Sequence, residues 1–187
     1  MGLDDRFCQR NPLWISRPLG RSGAYSLGSS GCLVCCVTRM AWRATGRVWT
    51  PWEMNKALVA ANGFEPDDDL RYAAVKKVCP ALSFVAKRDY TARPFPPSDE
   101  GIIRQHVGQG DFAIVETDFD PIYRPGQQKH FVLLERIVDD PYCLPFGAWH
   151  CYDPWHGEVV EIGEYNSPYG RHLDYAVWAV VLYEVVR

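Results

Sequence analysis

The chain contains no run of lysine and arginine. Its 20 basic and 23 acidic residues are scattered and leave a net charge of −3. That balance points away from a nucleic-acid protein. Long apolar runs are also missing, since no stretch nears the roughly 18–20 residues that a membrane span needs. The start, MGLDDRFCQRNPLW, has neither the basic opening nor the apolar block of a secretory signal. Arg6 stands where a myristoylation motif wants serine or threonine. The expectation is a protein with no membrane span, cytoplasmic as synthesised. A phage virion protein released by lysis would lack a signal too. Internal repeats and low-complexity tracts are absent.

Metal signatures are sparse. The seven cysteines, at 8, 32, 35, 36, 79, 143 and 151, are odd in number and cannot all pair within the chain. Cys32-Leu33-Val34-Cys35 is formally CxxC, but no second such pair follows it. Helical neighbours three apart have Cβ atoms about 5–6 Å apart, whereas a disulfide wants about 3.5–4.5 Å. Reduced thiols are therefore expected, with no cofactor and no metal. A zinc protein stays in view as a lesser reading, because His150, Cys151, Asp153 and His156 are ligand types. Residues 150 and 151 of a strand, however, point to opposite faces. Asp67-Asp68-Asp69 reads as a solvated loop or cap, without the alternating oxygens and glycine of a calcium loop.

What is present is a core. The chain is 47% hydrophobic and holds seven tryptophans, enough for one domain over 1–187. Residues 1–31 read as an extended lead-in rich in Gly, Pro, Arg and Ser. A helix is predicted over 32–44, ended by Thr45-Gly46. Thr50-Pro51-Trp52-Glu53 carries the cap, first-turn proline and capping-box glutamate of another helix, which runs to Ala61 before Asn62-Gly63. A short helix over 69–78 and one over 99–108 are expected. Strands are expected over 81–86, 112–117, 130–138, 149–153, 158–162 and 176–186, where β-branched and aromatic runs alternate with Gly, Pro and Asp. Helices first and strands later imply an α+β fold with helices packed on an antiparallel sheet.

One stretch raises a chemical question. In Ser26-Leu-Gly-Ser-Ser-Gly-Cys32 a turn-like run stops at the cysteine that opens an apolar, helix-compatible segment. Ser29 or Ser30 would cap that helix, which places Cys32 in the first turn, where the peptide dipoles favour a thiolate. An imidazole within reach would stabilise the thiolate further. Among His106, His130, His150, His156 and His172, His130 opens a strongly apolar strand. Pairing that strand with 149–153 about a turn near 141–142 sets His130 symmetric with Asp153, a carboxylate able to hold the imidazole's tautomer. The Cys32 amide and the Gln9 carboxamide are candidate oxyanion donors. The bland alternatives are an inert buried Cys32, a strand-capping His130, a turn-forming Asp153 and a merely polar Gln9. Cys35 and Cys36 read as helix packing.

Gln9-Arg-Asn-Pro-Leu-Trp14, Leu27-Gly-Ser-Ser-Gly-Cys32, Thr50-Pro-Trp-Glu-Met-Asn55, Ala61-Asn-Gly63, His130-Phe-Val-Leu-Leu134 and Tyr152-Asp-Pro-Trp-His-Gly157 occur in that order. Over about residues 8–160 this resembles the papain-like cysteine peptidases, and within them the bacteriocin-processing (double-glycine leader) peptidase-like group. The resemblance implies a papain-like fold, N-terminal helices on a C-terminal antiparallel sheet. It implies Cys32 as nucleophile, His130 as general base and acid, Asp153 as orienter and Gln9 as oxyanion donor. Leu33-Val34-Cys35-Cys36 departs from the small or hydroxyl residues that often follow that cysteine. The activity implied is amide hydrolysis in a peptide, an isopeptide or a peptidoglycan stem peptide. The rival is a catalytically weak structural or interaction module, such as a phage virion or tail component.

Overall fold

A computed structural model describes residues 4–90, 95–118, 129–140, 147–162 and 177–187. Cys143, His172 and the expected turn at 141–142 lie outside them.

The helices begin at α1 (Leu27–Ser30) and α2 (Cys32–Thr45). Leu27 and most of α2, from Cys32 to Ala41, are buried. Gly46 ends α2 with φ 72°, its N–H donating to Trp42 O, a left-handed position that suits glycine. α3 (Pro51–Ala60) starts as its sequence requires, with Thr50 and Glu53 in a reciprocal capping box. The short helix expected over 69–78 is a 3-10 turn at Tyr72–Ala74 leading into α4 (Val75–Val78). α5 (Pro97–Gly108) follows the first strand.

The strands are β1 (Leu82–Asp89), β2 (Phe112–Asp118), β3 (Lys129–Val138), β4 (Ala148–Asp153), β5 (Glu158–Glu161) and β6 (Val177–Val185). They form one six-stranded antiparallel sheet in the order β1-β6-β2-β3-β4-β5, so the fold is mixed α+β. β6, last in sequence, inserts between β1 and β2, a long-range pairing that no local pattern encodes.

The lead-in departs from expectation. It is not extended but a chain of turns: a 3-10 turn at Asp4–Phe7, tight turns around Asn11, a bridge from Pro18 to Ser26, and α1. Asn11 explains part of this, because its Oδ1 accepts the Leu13 N–H at 3.0 Å while its carbonyl accepts the Trp14 and Ile15 N–H groups.

Internal contacts divide the chain into two compact units. The first is Met1–Phe84, Asp153–Glu158 and Tyr183–Arg187; the second is Val85–Tyr152 and Val159–Leu182. In the first, Phe7 packs on Trp42, and Phe84 lies between Tyr72 and Tyr183, whose hydroxyl donates to Tyr72 O. In the second, Tyr90, Phe95, Ile103, Val115, Val132 and Trp149 form a buried cluster, with Phe95 edge-on to both Tyr90 and Trp149. Rings of that size dominate burial energetics, at about 1.5–3 kcal/mol per enclosed large side chain.

Candidate active site

Gln9, Cys32 and Asp153 belong to the first unit and His130 to the second.

The junction of α1 and α2 positions Cys32. Ser26, not Ser29 or Ser30 as expected, is the capping serine, and it caps α1, in a capping box with Ser29. Gly31 precedes Cys32 with φ −86°, ψ 8° and no side-chain cap. The two helical pieces are nearly continuous: Gly31 N–H donates to Leu27 O at 2.9 Å and Cys35 N–H to Gly31 O at 3.0 Å. Among the described residues no bond runs from Cys32 N–H to Gly28 O, the rung that would fuse the two helices. Gly28 O instead accepts the Gln9 carboxamide, Nε2 to O 3.0 Å. The helix is thus interrupted at the amide of the candidate nucleophile, and a side-chain amide from another segment occupies the carbonyl that amide would have used. The Gln9 carboxamide is thereby brought to a carbonyl four residues before Cys32.

Gln9 is held firmly. It is 1% exposed, and its backbone N–H donates to Pro154 O at 2.7 Å. Its Oε1 is buried without a hydrogen-bond partner. Turning the amide over would set Oε1 against Gly28 O, two acceptors face to face, so the carbonyl fixes the orientation. Gly28 itself admits no side chain, because a Cβ there would lie 2.5 Å from Ile15 O.

The thiols separate by environment. Cys32 is 7% exposed and Cys35 and Cys36 are fully buried, as helix packing predicts. Burial, and then the neighbouring Cys32 and Cys8 sulfurs, push the Cys35 thiol well above its ordinary range. Of the three thiols on α2, Cys32 alone keeps any exposure.

Asp153 ends β4 fully buried. Its Oδ1 accepts the Trp155 N–H at 2.9 Å, its carbonyl accepts the Gly157 N–H, and its Oδ2 lies 4.0 Å from His156 Nε2. The lead-in grips this turn three times: Gln9 N–H on Pro154 O, the Cys8 thiol on Trp155 O at 3.7 Å, and the Arg10 guanidinium 5.0 Å from the Trp155 ring centroid. Sequence reasoning missed this clamp, whose parts lie about 145 residues apart.

His130, in the second unit, is 7% exposed and sits opposite Thr117 on β2. It shares the face that Val115, Val132 and the buried cluster occupy. β3 and β4 do pair antiparallel, but not in the symmetric register. That register would set Leu133 against His150, whereas Leu133 faces Tyr152 and Val138 faces Ala148, with a shift between Leu134 and Arg136. A one-residue irregularity of this kind leaves no periodic trace in sequence.

Among the described residues no group of three or more His, Cys, Asp and Glu side chains is placed to hold a metal, and no helix is long and apolar enough to cross a membrane. The acidic run is not a solvated loop throughout. Asp68 is buried and receives the Arg21 N–H at 2.6 Å, the Ser22 N–H at 2.9 Å and the Ser22 hydroxyl. His106 is half-buried, 4.0 Å from Asp111. Compared with known proteins, the chain matches no family model, no curated protein and no solved structure.

Proposed function

We propose that the protein is a papain-like cysteine hydrolase that cleaves an amide bond in a peptide, an isopeptide or a peptidoglycan stem peptide. The observation that carries this reading is the interrupted helix. An enzyme that forms a tetrahedral oxyanion needs fixed donors beside its nucleophile; the proposed donors are the Gln9 carboxamide, held on Gly28 O, and the Cys32 amide. In the proposed cycle Cys32 Sγ attacks the carbonyl carbon, its proton having passed to His130. The two amides stabilise the oxyanion, and His130 returns the proton to the departing amine. Water, deprotonated by His130, then hydrolyses the thioester and restores the thiol. Asp153 is the proposed orienter of the imidazole.

The burial of Cys32, at 7% exposure, favours a second reading, a catalytically weak structural or interaction module, such as a virion component. Iodoacetamide separates the two. Fast, pH-dependent alkylation confined to Cys32, and slowed by His130→Ala, is the expected result. Equal, slow labelling of several cysteines, unchanged by His130→Ala, overturns the hydrolase reading.

A further inference from the structure

Away from the Gln9–Cys32 junction, the first unit carries a second concavity that the proposed hydrolysis does not use. A cavity of about 170 Å³ opens between Pro18, Gly20, Trp52, Asn55, Lys56 and Val59. At roughly 30 Å³ per water-sized atom it takes about five or six non-hydrogen atoms. Its floor is built rather than incidental. The buried Asn55 carboxamide is spent on both neighbours, accepting the Gly20 N–H at 3.0 Å and donating to Pro18 O at 3.1 Å. The loop beyond is pinned by Leu19 N–H on Tyr25 O and by Asp68 on the Arg21 and Ser22 amides. Gly20 must remain glycine, with φ +62° and Asp68 2.3 Å from where a Cβ would stand.

Two cations flank Trp52. The Lys56 ammonium, on the lining, lies 5.5 Å from the ring centroid, and the Arg17 guanidinium, from the residue before Pro18, lies 5.6 Å from it. Ring contact on that scale restrains two otherwise free exposed chains. Among the described residues neither cation has a carboxylate within salt-bridge distance. Glu53, one residue along from Trp52, is engaged by the Thr50 N–H and hydroxyl at 2.8 and 2.9 Å, and the Lys56 charge reaches it only through space. The walls are otherwise apolar (Pro18, Trp52 and Val59).

From this charge complementarity we infer that the Trp52 cavity binds a small carboxylate with a short branched apolar body. The chemistry is that of a free branched-chain acid or of the C-terminal aliphatic residue of a peptide. The apolar body fills the space beside Val59 and Trp52, and the carboxylate meets Lys56 and Arg17.

The test is a titration of the full chain followed by the Trp52 indole N–H resonance, assigned with Trp52→Phe. The probes are 4-methylpentanoate, its amide, and acetyl-Ala-Leu with a free or amidated C-terminus. Both acids are expected to shift the resonance and both amides to bind more weakly. Acetyl-Ala-Leu binding more tightly than 4-methylpentanoate assigns the site to peptide C-termini, and the reverse order to free acids. Exposed ion pairs contribute up to about 1 kcal/mol each, so Lys56→Gln and Arg17→Gln each cost about threefold in affinity and the double variant about tenfold. Amides that bind as well as acids, a double variant that binds like wild type, or no shift by about 20 mM acid each overturn the inference. None of these readouts depends on turnover at Cys32.

Discussion

Replacing Gln9 by alanine separates a donor that acts on the reaction from a buried polar group that merely fills space. The side chain is 1% exposed and donates to Gly28 O at 3.0 Å. Its removal leaves that carbonyl without its side-chain donor, a loss of about 1–3 kcal/mol in stability. At about 3 °C per kcal/mol for a chain of this size, the melting temperature falls by about 3–9 °C. Catalysis has a larger and different signature. Losing one oxyanion donor costs about 10²–10³ in rate, so acyl transfer from an activated ester such as p-nitrophenyl acetate slows by that factor. Alkylation of Cys32 by iodoacetamide forms no oxyanion and keeps its wild-type rate. Gln9→Glu sharpens the contrast: it keeps the volume but sets a carboxylate against Gly28 O. Acyl transfer falls at least as far as in the alanine variant. An alanine variant that melts lower yet acylates within twofold of wild type refutes the reasoning and makes Gln9 a structural residue only.

Further outcomes follow from the same geometry. Gly28→Ala places a Cβ 2.3 Å from Ile15 Cγ1 and 2.5 Å from Ile15 O; the backbone oxygen cannot swing aside, so overpacking costs about 1–3 kcal/mol, read by thermal melting, with ester acylation impaired as well. Thr50→Ala removes the side-chain half of the α3 capping box, the hydroxyl that accepts the Glu53 N–H, and costs about 1 kcal/mol without altering Cys32 alkylation, a control for global effects. At Asp68 burial raises the carboxyl pKa, but the bonds from the Ser22 hydroxyl and the Ser22 and Arg21 amides outweigh it, so the net shift is downward. A lowered folded-state pKa means the stabilisation is in place above the unfolded value near 3.9 and is lost as pH falls through the folded one. Melting of the wild type between pH 5 and pH 2.5 should therefore decline more steeply than that of Asp68→Asn, and parallel curves would dismiss the clamp as a source of acid sensitivity.

What the sequence disclosed was local. Thr50-Pro51-Trp52-Glu53 announced α3 because cap, proline and glutamate act within a single turn. The helix from Cys32 and the six strands were legible from apolar runs and their punctuation. What escaped depended on distant partners. Ser26 rather than Ser29 became the cap because a separate helix, α1, precedes Cys32, and its four residues are too few to show a period. Asn11 turned the lead-in, and Asp68 was drawn inward by amides more than forty residues away. In the candidate site, Cys32 at a helix start was readable, and so was Gln9 as a polar residue upstream. Their connection through Gly28 O was not, since it joins a side chain to a backbone atom nineteen residues on. The His130–Asp153 symmetry failed in register because Val138 already pairs with Ala148, three residues off the symmetric pairing, and the shift between Leu134 and Arg136 recovers only one of them.

The missing rung between Gly28 and Cys32 sets fold against chemistry. Left to themselves, α1 and α2 would zip into one rod from Leu27 to Thr45, burying the donor on Cys32 in an ordinary helical contact. Gln9 takes one of the two lone pairs of the Gly28 carbonyl, so the lead-in competes with the rung that would join the two pieces. On the proposed reading, a variant that loosens Gln9 can grow sturdier along that helix as it grows less able to hold a negative oxygen, and screens that select for heat resistance alone would drift toward it.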